Sequence, residues 1–423
     1  MVDFSPENLR VIFPVGGEAK RLRPLTSEVS KACVRLVNRP LIEISMASLA
    51  KQGVRNFIFG VKGYVNYKSL HDYFKEGIGF STQYKIEPRV HIKYAPNEDD
   101  VGSADCVRRC IEYYDIQEPV FGVQGDNIFD IDLQDLINYH CEKQALMTIG
   151  LTNVEQVEDY GIADLDKNLR IKKFVEKPKK EEAPSTLANT GIYLLSPQIR
   201  EVFKEKPVKD MIFKQKRLDF GMDFIPYLIE TQREVYGYIL RGTWYDVGTP
   251  KRYLDAMIQI LHGHLKCLSD FGGRISEDED IWIECLSLES EKRKNEIIEK
   301  IRREKIKIEG PVLIGRHCQI GDGVTIKSSC IDNFTIIGDG CYIEKAAILD
   351  RARIGEYAEI QESIIGRHSI VKSSKAKPTK IKAISVLGDD VIVEEGCEII
   401  ASKIYPHLCV ISGKKLLYED VVS

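Results

Sequence analysis

Leu313-Ile-Gly-Arg-His-Cys-Gln-Ile320-Gly-Asp-Gly-Val-Thr-Ile326 opens a stretch that repeats every 17 residues. Ile314, Ile331, Ile348 and Ile365 form one series; Ile320, Ile337, Ile354 and Val371 a second; Ile326, Ile343 and Ile360 a third. Within a turn the steps run six, six and five residues. Glycine follows many of these aliphatics, as in Ile314-Gly315, Ile320-Gly321, Ile337-Gly338, Ile354-Gly355 and Ile365-Gly366. An aliphatic at every fifth or sixth position suits neither a helix of period 3.6 nor one long strand of period 2. It suits a three-sided solenoid in which each aliphatic points inward from a short strand and a tight turn follows. The glycines are then expected where such turns need φ > 0. Lys372–Lys382 (KSSKAKPTKIK) interrupts the rhythm and reads as a loop extruded from one corner, solvated or phosphate-binding; the repeat resumes at Leu387-Gly388, Val393 and Ile399.

A chain of 423 residues exceeds one core, so two or three domains are expected. With 43% apolar and 29% charged residues the composition is that of a globular protein. A net charge of −4 gives no footprint for nucleic acid or an anionic membrane. No apolar stretch approaches a membrane span, and MVDFSPENLR lacks the apolar core of a secretory leader. Eleven cysteines without a C-x-x-C pair read as reduced thiols of a cytoplasmic protein. Cys106 and Cys110, one helical turn apart, could suit metal, but no second pair accompanies them.

From residue 10 to about 150, strand-like runs (10–15, 56–61, 92–94, 119–124, 146–151) alternate with helix-like ones (40–53, 102–114, 133–144). That order predicts an α/β domain with a mostly parallel sheet, and ligands beyond the carboxyl ends of its strands. A further strand (EVYGYIL) leads into Gly242–Pro250 and a helix running to about His264. The charged run Glu289–Lys305, with Ile297, Ile298 and Ile301 on one side, reads as a surface helix bridging to the solenoid.

The loop after the first strand is Val15-Gly16-Gly17-Glu18-Ala19-Lys20-Arg21-Leu22-Arg23-Pro24-Leu25-Thr26. Its glycines let backbone N–H groups approach a phosphate, and Lys20, Arg21 and Arg23 add positive charge. With Pro-Leu-Thr at this spacing it resembles G-G-x-G-T-R-L-x-P-L-T, the loop of the sugar-1-phosphate nucleotidyltransferases, or NDP-sugar pyrophosphorylases. Lys31 followed by Asn38-Arg39-Pro40-Leu41-Ile42, then Val101-Gly102-Ser103-Ala104-Asp105 and Gln124-Gly125-Asp126-Asn127, continue the likeness. Phe174-Val175-Glu176-Lys177-Pro178 resembles F-x-E-K-P, Asn189-Thr190-Gly191-Ile192-Tyr193 N-x-G-I-Y, and Trp244-Tyr245-Asp246-Val247-Gly248-Thr249-Pro250 W-x-D-I-G-T-P. The solenoid resembles the left-handed β-helix of hexapeptide repeats attached to such enzymes.

The resemblance implies a Rossmann-like nucleotidyltransferase domain over 1–255, a helical linker over 256–305, a left-handed parallel β-helix over 306–415 and a tail over 416–423. The implied reaction joins an NTP to a sugar 1-phosphate and releases pyrophosphate. Bringing two polyanions together calls for positioning and charge neutralisation more than for a protein nucleophile. Arg21 is the expected stabiliser of charge on the α-phosphate and leaving group, assisted by Lys31; Lys177 is expected to hold the sugar phosphate. Val15, Gly16, Gly17, Lys20, Gly102 and Ser103 are the nucleotide-binding candidates. Gly161, Glu176, Lys177 and Asn189 are those for the sugar phosphate. Asp126 and Asp246 are the candidate Mg²⁺ ligands, since that ion takes oxygen donors and bridges phosphates.

The family's G-T-R is Ala19-Lys20-Arg21 here, so a loop glycine is missing; if that position uses φ > 0, Ala19 is strained. Ser30-Lys-Ala-Cys-Val-Arg35 also replaces P-K-P-L-L-P. These departures keep a regulatory paralogue without turnover among the readings. His317 and His368 in the solenoid keep an acyltransferase head among them as well. The closing stretch resembles mannose-1-phosphate guanylyltransferases, which leads to mannose 1-phosphate with GTP. Gly102–Asp105 leans instead towards glucose-1-phosphate adenylyltransferases, and glucose or N-acetylglucosamine 1-phosphate with UTP or dTTP are rivals. Homo-oligomerisation is expected through the solenoid, and all seven motifs precede Lys251, so a chain ending at residue 305 keeps every candidate residue.

Overall fold

The computed structural model describes residues 2–17, 19–268, 271, 273–275 and 280–422. It forms two compact units: Met1–Gly17 with Ile42–Trp244, and Glu18–Leu41 with Tyr245–Ser423. This division cuts across the sequence. The segment bearing Lys20, Arg21 and Lys31 belongs to the compact unit that holds the solenoid.

The first unit is built on strands β1 (Arg10–Val15), β2 (Asn56–Val61), β3 (His91–Pro96), β4 (Val120–Val123), β5 (Met147–Asn153), β6 (Gly161–Leu165), β7 (Ile171–Glu176), β8 (Leu187–Leu195) and β9 (Val235–Ile239). They hydrogen-bond in the order β7-β6-β8-β4-β1-β2-β3, with β5 pairing β8 and β9. β4, β1, β2 and β3 run parallel, as the alternating pattern predicts. Val11, Ile12 and Phe13 of β1 are fully buried because helices cover both faces. Helices Leu41–Lys51, Ser103–Tyr113 and Leu133–Glu142 lie in the expected places. β6, β7 and β8 add antiparallel pairs, while β9 runs parallel to β5, which makes the sheet mixed. Along β8 the first residues pair with β6 and the last with β4, and the register with β5 breaks between Asn189 and Tyr193. The N-T-G-I-Y motif therefore occupies a bulge, with Gly191 at φ 72°.

In the second unit, helix Pro250–Leu261 is capped by the Thr249 side chain and has proline in its first turn. Helix Leu288–Arg302 is closed by a Ser287–Ser290 capping box and buries Ile297. The repeat forms three parallel sheets whose registers follow the three aliphatic series. Ile314, Ile331, Ile348, Ile365, Leu387 and Ile404 stack in one. Ile320, Ile337, Ile354, Val371, Val393 and Val410 stack in the second. Ile326, Ile343, Ile360, Ile381, Ile399 and Leu416 stack in the third. All are buried, the three-sided core of a left-handed β-helix. The coil begins earlier and ends later than the repeat suggests: Ile281–Ile283 heads the first sheet and Asp420–Val421 closes it, so the last residues form strands and not a tail.

One expectation is corrected. Gly315, Gly321, Gly338, Gly355 and Gly366 are not the positive-φ residues. They are glycines because the coils stack too closely for a side chain. An added Cβ would lie 2.6 Å from the Asn333 nitrogen at Gly315 and 2.2 Å from the Gly388 oxygen at Gly366. The left-handed corner positions lie two residues further on, at His317, Gly323, Gly340, Tyr357 and His368.

Candidate active site

In the first unit the candidate residues gather at strand ends. Val15 closes β1, and Gly16 and Gly17 follow it. A Cβ on Gly16 would lie 2.8 Å from the Cβ of Lys62, so the loop passes against the Lys62 stem. Lys62, directly after β2, donates its ammonium to the Asp100 carbonyl (2.6 Å) and carboxylate (3.1 Å). Burial nevertheless pushes the Asp100 carboxyl up.

Gly102 has φ 152°, and a Cβ there would meet the Leu218 carbonyl at 2.5 Å. No other residue fits, because the turn before helix Ser103–Tyr113 is zipped to Leu218 by its amide donating to Val101 (3.0 Å) and that of Asp105 donating to Leu218 (3.1 Å). The Ser103 hydroxyl donates to Asp219 (2.7 Å) and accepts from the Phe220 amide (3.1 Å). Ser103 thus ties the Gly102 turn to Asp219–Phe224, whose last five residues form a π-helical turn, a rare conformation that recurs at functional sites.

The sugar-side candidates surround one carboxylate. Glu176 at the end of β7 pairs with Gly161 on β6. A Cβ at Gly161 would lie 2.6 Å, and one at Gly221 2.3 Å, from Glu176 Oε2. Two glycines from different segments therefore press on one carboxylate oxygen. Burial raises the Glu176 carboxyl, with the Lys177 charge opposing the rise. Lys177 sits at φ 48°, its amide donates to the Tyr160 carbonyl (2.9 Å), and its ammonium lies 3.7 Å from Glu176 Oε1. Asn189 braces the bulge of β8, accepting from the Gly191 amide (2.9 Å) and donating to the Tyr193 hydroxyl (2.9 Å). Asp126 lies in the turn between β4 and the short strand Asn127–Asp130, where the Asn127 amide donates to Gln124 (3.2 Å). The Asn127 side chain and the Trp244 indole both donate to the Thr190 carbonyl. Trp244 is a packing and bracing residue, edge-on to Tyr160.

The second unit carries the rest. Lys20 and Arg21 form a 3-10 turn, and Lys31 opens another. An added Cβ at Gly248 would lie 3.1 and 3.2 Å from the Asp246 carboxylate oxygens and 3.4 Å from Arg21 Nη2. The glycine of D-V-G-T-P leaves these groups uncovered on that side. Asp246 Oδ2 accepts from Arg252 at 2.8 Å, an arginine that helix Pro250–Leu261 holds one turn from its capped end. His317 stacks on Phe334 (4.8 Å), and His368 faces Asp390 at 3.5 Å.

Among the described residues no three His, Cys, Asp or Glu side chains gather to hold a metal. Mg²⁺ needs only one or two carboxylates beside phosphate oxygens and water. Asp126 and Asp246 each carry oxygens of the hard type such an ion takes, and Gly248 places no Cβ beside the Asp246 carboxylate. Cys106 does not offer metal chemistry. It is buried, Asn97 donates to its sulfur at 3.0 Å, and the Cys110 hydrogen bond and burial push its thiol up.

Ala19 has φ 44° and ψ 42°, the left-handed conformation that its replacement of glycine made a concern. Thr26 holds it there by donating to its carbonyl at 3.0 Å. Left-handed geometry costs an L-residue about 1–2 kcal/mol, while glycine costs about 0.4–1 kcal/mol more unfolded-chain entropy. Ala19→Gly is therefore expected to stabilise the protein by up to about 1 kcal/mol, and Ala19→Val to destabilise it. Urea midpoints of the three proteins give the order; a glycine variant less stable than the valine one would contradict it.

Residues 11–263 match the family model described as Nucleotidyl transferase, and residues 308–415 the one described as GMPPB C-terminal domain. The chain belongs to the nucleotidyl transferase family. It is an enzyme of the sugar-1-phosphate nucleotidyltransferase class. A mannose-1-phosphate guanyltransferase of Pichia angusta is 28% identical over 93% of this chain and 94% of its own. A UTP–glucose-1-phosphate uridylyltransferase of Synechocystis is 27% identical over 90% and 94%. In fold, a crystal structure titled as a putative glucose-1-phosphate thymidylyltransferase from Bacillus anthracis in complex with a sucrose aligns with TM-score 0.51 and 20% identity. It covers 63% of this chain and 97% of that one.

Three residues of this nucleotidyltransferase escape a reading by motif. Lys62 lies at a strand end, the one signal that could have found it. Asp219 and Arg252 carry none, because their partners Ser103 and Asp246 become neighbours only through folding.

Proposed function

We propose that this nucleotidyltransferase transfers GMP from GTP to mannose 1-phosphate. The observation that carries the choice is the pairing of the two family matches. The catalytic model covers 11–263, and the model over the solenoid is the C-terminal domain named for GMPPB. Relatives named mannose-1-phosphate guanyltransferase, from Pichia angusta and Candida albicans, align over 93% and 94% of this chain. Glucose 1-phosphate with UTP is the second reading, favoured by the Synechocystis relative.

In the proposed reaction a phosphate oxygen of the sugar 1-phosphate attacks the α-phosphorus of the NTP. The bond from that phosphorus to the oxygen bridging to the β-phosphate breaks, and pyrophosphate leaves with the electron pair. Val15, Gly16, Gly17, Lys20, Gly102 and Ser103 bind the nucleotide. Gly102 does so by letting backbone approach closely, and Ser103 by holding its turn through Asp219. Arg21 neutralises charge growing on the α-phosphate and leaving group, with Lys31 assisting. Lys177 fixes the sugar phosphate, and the half-buried Glu176 carboxylate accepts from sugar hydroxyls beside Gly161 and Asn189. Asp126 and Asp246 would hold Mg²⁺, which when bound neutralises phosphate charge. The enzyme works as a cytoplasmic homo-oligomer associating through its β-helix; eleven cysteines without a C-x-x-C pair suit a reducing compartment.

Turnover is expected from GTP and mannose 1-phosphate, lost with EDTA and restored by Mg²⁺. A pyrophosphate-release assay of GTP, ATP, UTP and dTTP against mannose, glucose and N-acetylglucosamine 1-phosphates decides it. Turnover with another pair only reassigns the substrates. Nucleotide binding without any turnover makes the protein a regulatory paralogue.

A further inference from the structure

The segment 18–41 bears Arg21 and Lys31, and within its compact unit it lies along one edge of the solenoid. Its hairpin pairs strands Arg35–Leu36 and Arg39–Pro40. Arg35 makes a two-pronged contact with Asp332, whose carboxylate is 1% exposed; the second prong measures 2.9 Å. Arg39 pairs with Glu284 at 3.1 Å, and Asn38 donates to the same carboxylate at 3.1 Å. Burial raises the Glu284 carboxyl, against the pull of Arg39. Cys330 donates its thiol to the Asn38 side chain at 3.0 Å. At the other end, His407 meets both Glu28 oxygens at 3.0 Å.

These anchors are ordered. Glu284, Asp332 and His407 each follow a strand of the same sheet, in its first, third and seventh positions. From Asp332 to His407 is four strand spacings, roughly 19 Å. The chain bearing Lys31, wound into the 3-10 turn Lys31–Cys33, is thus fastened on both sides to fixed points on the coil. Desolvated carboxylates are costly unless well paired. Two of them facing cations of one hairpin call for a reason beyond stability, since an apolar contact would hold a passive hairpin as well.

We propose that the β-helix is a splint for the catalytic loop, with Asp332 and Glu284 as positioning residues that set Arg21 and Lys31 through Arg35 and the Asn38-Arg39 turn. This rests on the nucleotidyl-transfer roles proposed for Arg21 and Lys31. It also changes the expectation for a chain ending at residue 305. That chain keeps every candidate residue but loses Cys330, Asp332 and His407, and with them the geometry of the loop.

The test uses the full chain with the near-isosteric changes Asp332→Asn and Glu284→Gln. Hydrogen exchange is expected to quicken in peptides covering 19–40 while the first unit stays protected. Because misplacement near 1 Å can cost about 10²-fold, kcat should fall at least about tenfold. KM for the sugar 1-phosphate should hold within about twofold, because its residues lie in the other unit. Should Asp332→Asn fail to fold, Glu284→Gln carries the same readouts. Unchanged exchange in 19–40 overturns the splint, and so does faster exchange with kcat intact. A wild-type protein without turnover defeats the proposed function instead, and exchange in 19–40 then decides alone whether the solenoid holds the loop.

Discussion

Arg21→Ala is expected to lower kcat by about 10²-fold or more while KM for the sugar 1-phosphate changes by less than about threefold. The magnitude is that of deleting one preorganised donor to developing charge, about 10²–10³ in kcat. Arg21 suits such a role because its position is fixed before substrate arrives. The Ala19 carbonyl is pinned by Thr26, Lys20–Leu22 is wound into a 3-10 turn, and Arg21 Nη2 reaches the uncovered side of Gly248 beside Asp246. An interaction made only in the transition state lowers kcat and kcat/KM together. Steady-state kinetics with each substrate varied in turn gives the answer. A raised KM for the sugar phosphate with intact kcat would show that this loop serves the other substrate. Gly248→Ala is the milder companion. Its Cβ would crowd the same carboxylate and guanidinium, so it should share the kcat phenotype in reduced form.

What the sequence discloses and what it hides follow one physical line. Local period and chain order are visible, so the three aliphatic series map residue for residue onto the three registers of the coil. The helices after β1 and after Gly102 lie where the pattern places them. Reasons that depend on a distant partner are not visible. Gly315 and its equivalents look like turn glycines, yet they are dictated by the backbone of the next coil. The bulge at Asn189–Tyr193 arises because β8 changes partner from β6 to β4, and no pattern within β8 announces that. Asn38 and Arg39 read as a variation on N-K-P-L-I, and Arg35 as the end of a stretch that departs from P-K-P-L-L-P, while their partners lie some 250 to 300 residues away in the chain. The motifs are legible as a set because each is a short run of neighbouring residues. The support that holds them, through Asp219, Arg252, Glu284 and Asp332, is made by folding alone.

Lys177→Ala is expected to raise KM for the sugar 1-phosphate by about 10- to 10²-fold with kcat changed much less. A hydrogen bond to a charged group contributes about 1.5–3 kcal/mol, and each 1.4 kcal/mol is tenfold. The contact is made in the ground state, so its loss appears in KM. Lys177 is aimed by its backbone: a left-handed φ of 48° immediately before Pro178, fastened by its amide to Tyr160, places the ammonium 3.7 Å from Glu176 Oε1. Such conformations persist only where the surroundings enforce them, and they gather at functional sites. The substitution also acts through Glu176. Burial raises that carboxyl and the Lys177 charge lowers it, so removing the charge lets it rise further. A raised carboxyl is protonated over a wider acid range, and there it is a weaker acceptor for a sugar hydroxyl than the carboxylate. The acid limb of kcat/KM should therefore move to higher pH in Lys177→Ala, while Lys177→Arg, which keeps the charge, should hold the limb and recover part of the affinity. An acid limb unmoved by Lys177→Ala would mean that Glu176 does not bear on sugar binding, and a collapse of kcat at constant KM would place Lys177 with the nucleotide instead.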